Sequence, residues 1–285
     1  IGNYGYHQAN NNPISSLALF ENTGSDSIPN YSLIDRDWLD LSTINLNTNL
    51  NMPALNLSPT FGDIDGDNDK DLIVGDADGK IHLFENVSGF FNLYSPNYEN
   101  IDIGQFAQPQ LIDVNRDGLN DLIIGEQDGT INYLPNSGSL SNPIFDTIIS
   151  NWGGIDIEQS YISTGFSNPI LYDSNGVYQL FVGSFSGSIY QFTNIDNNLT
   201  GQFTMVNSTA ANIWDGGKSA IAMSDINNDN EVDMIIGNIS GGIAYFSSDY
   251  SITDSSNTTI NNITNIELNL FPNPTTQKLT ISSKE

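Results

Sequence analysis

Short apolar runs closed by glycine recur along the chain. They are Leu72-Ile73-Val74, Leu122-Ile123-Ile124, Leu180-Phe181-Val182 and Met234-Ile235-Ile236, followed by Gly75, Gly125, Gly183 and Gly237. Continuous apolar runs this short, rich in β-branched residues, predict strands covered on both faces. A second glycine follows four residues after the first, at Gly79, Gly129, Gly187 and Gly241. Asp78-Gly79 and Asp128-Gly129 predict two-residue hairpin turns, where glycine supplies positive φ. The runs 81–84, 131–134, 189–192 and 243–246 then predict a return strand, ending on Phe84, Leu134, Phe192 and Phe246. Polar, Asn-rich linkers lead on to outer segments such as 91–93 and 203–205.

The first glycines are spaced by 50, 58 and 54 residues. A unit of that size holds four short strands, which is one propeller blade. A blade cannot bury both faces alone, so its neighbours supply the core. No segment shows a sustained helical period, which excludes helical solenoids, and a β-sandwich would not explain fixed internal offsets. The expected fold is all-β: an incomplete β-propeller of four-stranded blades, about four full and one partial. The boundaries fall at 1–50 for the partial blade, then 51–100, 101–160, 161–212 and 213–250. Residues 251–265 read as a polar linker. Ile1-Gly2 matches the end of an apolar run, and Leu17–Asn22 matches Ile81–Asn86, with a nine-residue insertion around 4–7. The repeat therefore opens inside a unit. A fragment of this kind is expected to form an open, C-shaped arc with one apolar blade face bare at each end.

Charge narrows the partners. Acidic residues number 34 against 7 basic ones, a net charge of -27. That repels nucleic acid and anionic membrane surfaces, both of which need Lys or Arg to neutralise phosphate. There are no cysteines, so disulfides and thiol chemistry are excluded. No apolar run approaches the ~20 residues of a membrane span.

The acidity is concentrated in three loops, each just before a buried strand. They carry Asp63, Asp65, Asp67, Asp69 and Asp71; Asp113, Asn115, Asp117, Leu119 and Asp121; and Asp225, Asn227, Asp229, Glu231 and Asp233. Oxygen side chains at positions one, three, five and nine, with a main-chain carbonyl at seven, wrap a hard cation that takes ~6–8 oxygens. Calcium fits this better than magnesium, which prefers a smaller, hydrated octahedron. An EF-hand would need a glutamate at position twelve, where Val74, Ile124 and Ile236 stand. The Asp-x-Asp-Gly-Asp-x-Asp-x-Asp-Leu pattern, with Phe61-Gly62 before it and Val74-Gly75 after, resembles the FG-GAP repeats of integrin α-subunits and secreted bacterial proteins. The resemblance covers roughly residues 1–250. It implies a Ca2+ ion in each of the three loops, an extracellular or cell-surface location, and a propeller in which seven blades are common. The third unit departs from the pattern: Asp173-Ser174-Asn175-Gly176 is too short to wrap a cation and is expected to be a plain, metal-free hairpin turn.

Residues 266–285 contain Leu270-Phe271-Pro272-Asn273-Pro274 and then Lys278-Leu279-Thr280-Ile281. This resembles the opening of the C-terminal sorting domain of type IX secretion in Bacteroidetes, with Gln277 where such domains usually have glycine. The resemblance implies the secretion machinery as a partner. No catalytic arrangement emerges. His82 is expected at a half-exposed strand position and His7 in the inserted hairpin. Trp38, Trp152 and Trp214 are expected to pack at blade edges, with sugar stacking the alternative. The functional expectation is a binding or adhesion module for an extracellular glycan or protein. The alternatives are the scaffold of a polysaccharide-degrading enzyme and a structural spacer.

Overall fold

Each glycine-paired unit forms an antiparallel sheet. A computed structural model describes residues 1–2, 6–7, 13–47, 52–159, 163–210 and 213–247, with backbone alone for 6, 7 and 13. The structure is all-β apart from three single-turn 3-10 segments. A short ribbon of β1 (Tyr6–His7) and β2 (Pro13–Ile14) occupies the predicted insertion. The first sheet pairs β3 (Leu19–Asn22) with β4 (Tyr31–Asp35), and Gly2 bridges to Leu17. The second runs β5 (Ser58–Gly62), β6 (Asp71–Gly75), β7 (Ile81–Val87) and β8 (Phe90–Ser95). The third holds β9 (Gln108–Ile112), β10 (Asp121–Gly125) and β11 (Ile131–Leu134). The fourth runs β12 (Asn168–Ser174), β13 (Val177–Gly183), β14 (Ile189–Thr193) and β15 (Thr204–Asn207). The fifth holds β16 (Ala220–Ser224), β17 (Asp233–Gly237) and β18 (Ile243–Phe246).

One register recurs. Leu72 faces Phe84, Leu122 faces Leu134, Leu180 faces Phe192 and Met234 faces Phe246. The same bulge recurs before the outer strand, between Leu19 and Phe20, Leu83 and Phe84, and Gln191 and Phe192. The second strand is buried along its whole length in the second and third sheets because neighbouring sheets cover both its faces. Among the described residues, four strands are present only in the second and fourth sheets. In the third, the outer segment contributes a single bridge from Ile149 to Tyr133, and in the fifth no outer strand falls among the described residues.

The glycine pair has two separate causes. A Cβ on Gly75 would sit 2.3 Å from the Ala107 carbonyl oxygen of the next sheet, and one on Gly125 would sit 2.2 Å from that of Ser167. Gly79 adopts φ 77° and lies against Gly104 of the next unit. The hairpin differs from the expected two-residue turn. Gly79 N–H closes a turn onto Asp76 O at 3.3 Å, so the connection is longer and only its final glycine needs positive φ.

The first strands β5, β9, β12 and β16 pack beside one another in sequence. Side chains tie them: Leu111 N–H donates to Thr60 Oγ1 (3.4 Å), Leu171 N–H to Gln110 Oε1 (2.7 Å) and Ile221 N–H to Asn168 Oδ1 (2.7 Å). Four apolar clusters fill the seams between successive sheets. The two end sheets border one cavity. Leu17 and Tyr31 of the first line the same cavity as Ile235 and Tyr245 of the fifth. The first and fifth sheets thus face each other across this cavity.

Candidate metal centre

Each acidic loop joins the first strand of its sheet to the second, and all three share one backbone pattern. The fourth position (Gly66, Arg116, Asn228) and the sixth (Asn68, Gly118, Asn230) are left-handed, with φ between 58° and 89°. Glycine and asparagine tolerate that region best, which accounts for every choice but Arg116. These kinks aim backbone N–H groups at the first carboxylate: Asn68 to Asp63 (3.0 Å), Gly118 to Asp113 (2.9 Å) and Asn230 to Asp225 (2.9 Å). The ninth carboxylate closes the loop by accepting the second residue's N–H. Ile64 donates to Asp71 (3.0 Å), Val114 to Asp121 (3.1 Å) and Ile226 to Asp233 (2.9 Å). Asp71 and Asp121 each accept a second N–H, from Asn86 (2.8 Å) and Asn136 (2.7 Å), fastening the loop to the third strand.

Carboxylates converge in the first loop. Oxygens of Asp63, Asp65 and Asp71 lie within 4.8 Å of one another, the one such group among the described residues. Burial pushes the Asp71 carboxyl above the usual range, and the Asp65 and Asp69 charges add to this against the two N–H donors. Asp69 is raised as well, by its desolvation and by Asp67, Asp65 and Asp63. Carboxylates gathered this closely carry uncompensated negative charge, and a hard cation with an all-oxygen donor set relieves it. The site residues thus fit calcium. Asp67, Asp117 and Asp229, at the fifth position, are exposed, and each accepts the N–H of the seventh residue. In the other two loops Asn115 and Asn227 replace the third carboxylate and accept the N–H of the fifth residue at 2.8 and 3.0 Å. Leu119 and Glu231 stand at the seventh position, where a main-chain carbonyl suffices.

A tyrosine separates the loops, and nothing in the spacing announced it. Tyr133 faces Ile123 in the ladder, and its hydroxyl donates to Asp121 Oδ2 at 3.0 Å. Tyr245 holds the same register opposite Ile235, and its phenol is pushed up by burial and by the nearby Asp233 charge. In the first loop that place belongs to Leu83, opposite Ile73. The first loop therefore lacks the hydroxyl that Asp121 receives.

The fourth sheet meets a side-chain cation instead. Asn175 (φ 54°) and Gly176 (φ 85°) form the two-residue turn expected there. Arg116, from the acidic loop of the third sheet, reaches across to it. Its Nη1 donates to Asp173 (2.7 Å), its Nε and Nη2 to Asp196 (3.1 and 3.0 Å), and Nη2 also to Gly176 O (3.2 Å). The guanidinium lies 3.9 Å from the Tyr178 ring centre, and the Tyr178 hydroxyl donates to Asp113 O at 2.5 Å. Arg116 holds the Asp173 carboxyl below its ordinary value.

Elsewhere the structure corrects two expectations. His82 is 0% exposed, not half-exposed, because its strand is covered on both faces. Its nitrogens meet Asp76 Oδ2 (3.0 Å) and Pro96 O (2.7 Å), which satisfies both ring positions in the core. The His7 side chain lies outside the described residues. Trp38 packs on Phe91 (5.1 Å between ring centres). Trp152 packs on Phe203 (4.7 Å) but is 1% exposed, inside the core cluster between the third and fourth sheets rather than at an edge as expected. Trp214 is 68% exposed, with its Nε1–H on Ser186 O at 2.8 Å. The C-terminal segment 266–285 lies outside the described residues.

Residues 63–124, from the first acidic loop through the second, match the family of FG-GAP-like repeats. No curated protein matches the chain. The matched stretch holds two of the three acidic loops.

Proposed function

We propose that the five sheets are blades of a calcium-stabilised β-propeller that works outside the cell as a binding or adhesion module. The convergence of Asp63, Asp65 and Asp71 carries the calcium reading. The shared hydrogen-bond pattern extends it to the loops 113–121 and 225–233. Asp63, Asp65, Asp67 and Asp71 would hold the first ion with the Asp69 carbonyl, and Asp113, Asn115, Asp117, Asp121 and Asp225, Asn227, Asp229, Asp233 the other two. Bound calcium supplies positive charge that cancels the repulsion within each loop. An extracellular place suits this, since FG-GAP repeats are typical of extracellular proteins. Among the described residues, no helix is long and apolar enough to cross a membrane. The segment 266–285 would address the chain to type IX secretion. A reporter fused to it and retained inside a type IX-competent cell would refute that part alone.

Calorimetric titration of chelator-stripped protein with CaCl2 tests the metal reading. Three sites are expected, the first loop binding tightest, and magnesium should compete weakly. Absence of heat at the first loop, checked by comparison with Asp65→Asn, would overturn it. A glycan array and a panel of extracellular matrix proteins, read with and without calcium, then test the adhesion reading.

A further inference from the structure

After β11 the third sheet leaves the plan of the second. In the second sheet, Asn86 donates its N–H to Asp71 (2.8 Å) and its Nδ2 to Lys70 O (3.1 Å). Its Oδ1 accepts Gly89 N–H (2.8 Å) in the tight turn that leads into β8. Asn136 repeats the first two contacts in the third sheet, on Asp121 (2.7 Å) and Asn120 O (3.3 Å). Its Oδ1 instead accepts the N–H groups of Gly138 (3.0 Å) and Ile144 (3.1 Å), which closes a wider loop. That loop lies on the first acidic loop: a Cβ on Gly66 would sit 3.0 Å from Leu140 Cβ and 3.1 Å from its carbonyl. A second tie is direct. Asn120, eighth in the loop 113–121, donates its Nδ2 to the main-chain carbonyl of Asp63 at 2.9 Å. In the third acidic loop the eighth position is Val232, whose side chain has no donor, and the sheet before that loop carries the turn 173–176 in place of an acidic loop.

We infer that the calcium sites of the first and second loops are a coupled pair, linked by Asn120 and Leu140 as positioning residues, while the third site titrates alone. The inference rests on the calcium reading above and concerns how those sites are regulated. Calcium at 63–71 fixes Asp63 and Gly66, the two points on which Asn120 and Leu140 lean. Asn120 is joined to Asp121, the last ligand of the second loop, through Asn136. Residues ordered by the first ion need not be ordered again by the second, which is positive coupling through conformational entropy. Neither Asn120 nor Leu140 occupies a ligand position, so the link can be cut with both donor sets intact. On its other side the second loop is held by the Tyr178 hydroxyl on Asp113 O and by the Arg116 clamp, contacts that involve no acidic loop beyond. The coupling therefore stops at the fourth sheet.

Hydrogen exchange of the chelator-stripped full chain, followed through a CaCl2 titration, gives a calcium midpoint for each loop separately. Asp65→Ala, which disables the first loop, should raise the midpoint at 113–121 by about fivefold and leave that at 225–233 in place. Asp117→Ala in the second loop should weaken the first by the same factor, because coupling between binding sites is reciprocal. Asn120→Val gives the second loop the residue of the third. With Asn120→Val and Leu140→Ser together, Asp65→Ala should no longer move the midpoint at 113–121. Where Asn120→Val unsettles the fold, Leu140→Ser alone keeps the test, since that side chain is 60% exposed and its loss should still reduce the shift. The inference is overturned if Asp65→Ala leaves the midpoint at 113–121 unmoved, if 225–233 shifts as far, or if the shift survives both linking substitutions. Calcium that protects all three loops with independent midpoints strikes the coupling alone. Calcium that protects none of them strikes the calcium reading itself.

Discussion

The loop Asp63–Asp71 of the second sheet and the turn Asp173–Gly176 of the fourth occupy equivalent places in their units and solve the same electrostatic problem in opposite ways. The first gathers carboxylates among which Asp69 and Asp71 are raised, chiefly by desolvation and further by their acidic neighbours. The second brings Asp173 and Asp196 together around Arg116, which lowers the Asp173 pKa. One region has an unmet demand for positive charge and the other carries its own cation on a side chain borrowed from the adjacent loop. The comparison teaches that carboxylates gathered at this place in the repeat can be compensated by a side-chain cation reaching over from the adjacent sheet.

Calcium removal should break the comparison most visibly. At free calcium about tenfold above the dissociation constant, each site adds ~1.4 kcal/mol, so three add ~4 kcal/mol. Scanning calorimetry with chelator should show a melting temperature lower by roughly 10 °C. Hydrogen exchange should quicken at 63–71, 113–121 and 225–233 and stay unchanged at 173–176. An unchanged melting temperature contradicts the calcium reading, and quickening at 173–176 contradicts the contrast.

Next in size is Tyr133→Phe. The hydroxyl bonds a buried carboxylate, so its loss should cost about 1.5–3 kcal/mol in metal-free protein, measured by urea unfolding. The same experiment at Leu83→Tyr should move the first loop toward its neighbours and weaken its calcium affinity.

Acidification separates the two regions by sign. Asp71 and Asp121 have folded pKa values raised above the unfolded ones. In metal-free protein their charged forms penalise folding at pH 7, and the penalty is relieved as pH falls through the raised values toward the ordinary carboxylate value near ~4. Asp173 is depressed, so its contribution is full above the unfolded value and is lost only as pH falls through the folded one. Metal-free protein should therefore melt higher at pH 5 than at pH 7, whereas calcium-loaded protein should melt lower. A parallel decline in both forms would show that the loops do not store this repulsion.

The smallest effect belongs to Arg116→Gln. The clamp is solvent-exposed and screened, so its loss should lower the melting temperature by only a few degrees, equally with and without chelator. Calorimetry of this variant alongside Asp173→Asn, and of the double variant, should show the two changes to be non-additive. An effect that vanished on chelation would mean that Arg116 serves the acidic loop it belongs to rather than the sheet it reaches.

Much of this was legible along the chain because its causes are local. The glycine pairs mark close approach and positive φ, the alternating aspartates mark an inward-facing loop, and the Asn175-Gly176 turn needs two left-handed residues and nothing else. The same local signs placed the inserted ribbon between Gly2 and Leu17. They also led astray where neighbours intervene. His82 sits at a position that alternation alone would half expose, yet it is fully buried, with Asp76 and Pro96 on its two nitrogens.

What the amino-acid sequence determined by itself was the unit: its strands, its register, its three acidic loops and the one turn without a metal pattern. Residues within some 25 positions of one another dictate all of these through backbone sterics and the spacing of charge. Only the tertiary structure decided how units meet. Arg116 and Asp173 are 57 residues apart, and Tyr178 and Asp113 are 65 apart. Their pairing depends on the rotation from one sheet to the next, which no short-range pattern encodes. The same rotation brings Leu17 and Ile235 to opposite walls of one cavity. It is set by the summed packing of four apolar seams, so it exists only once the sheets are stacked.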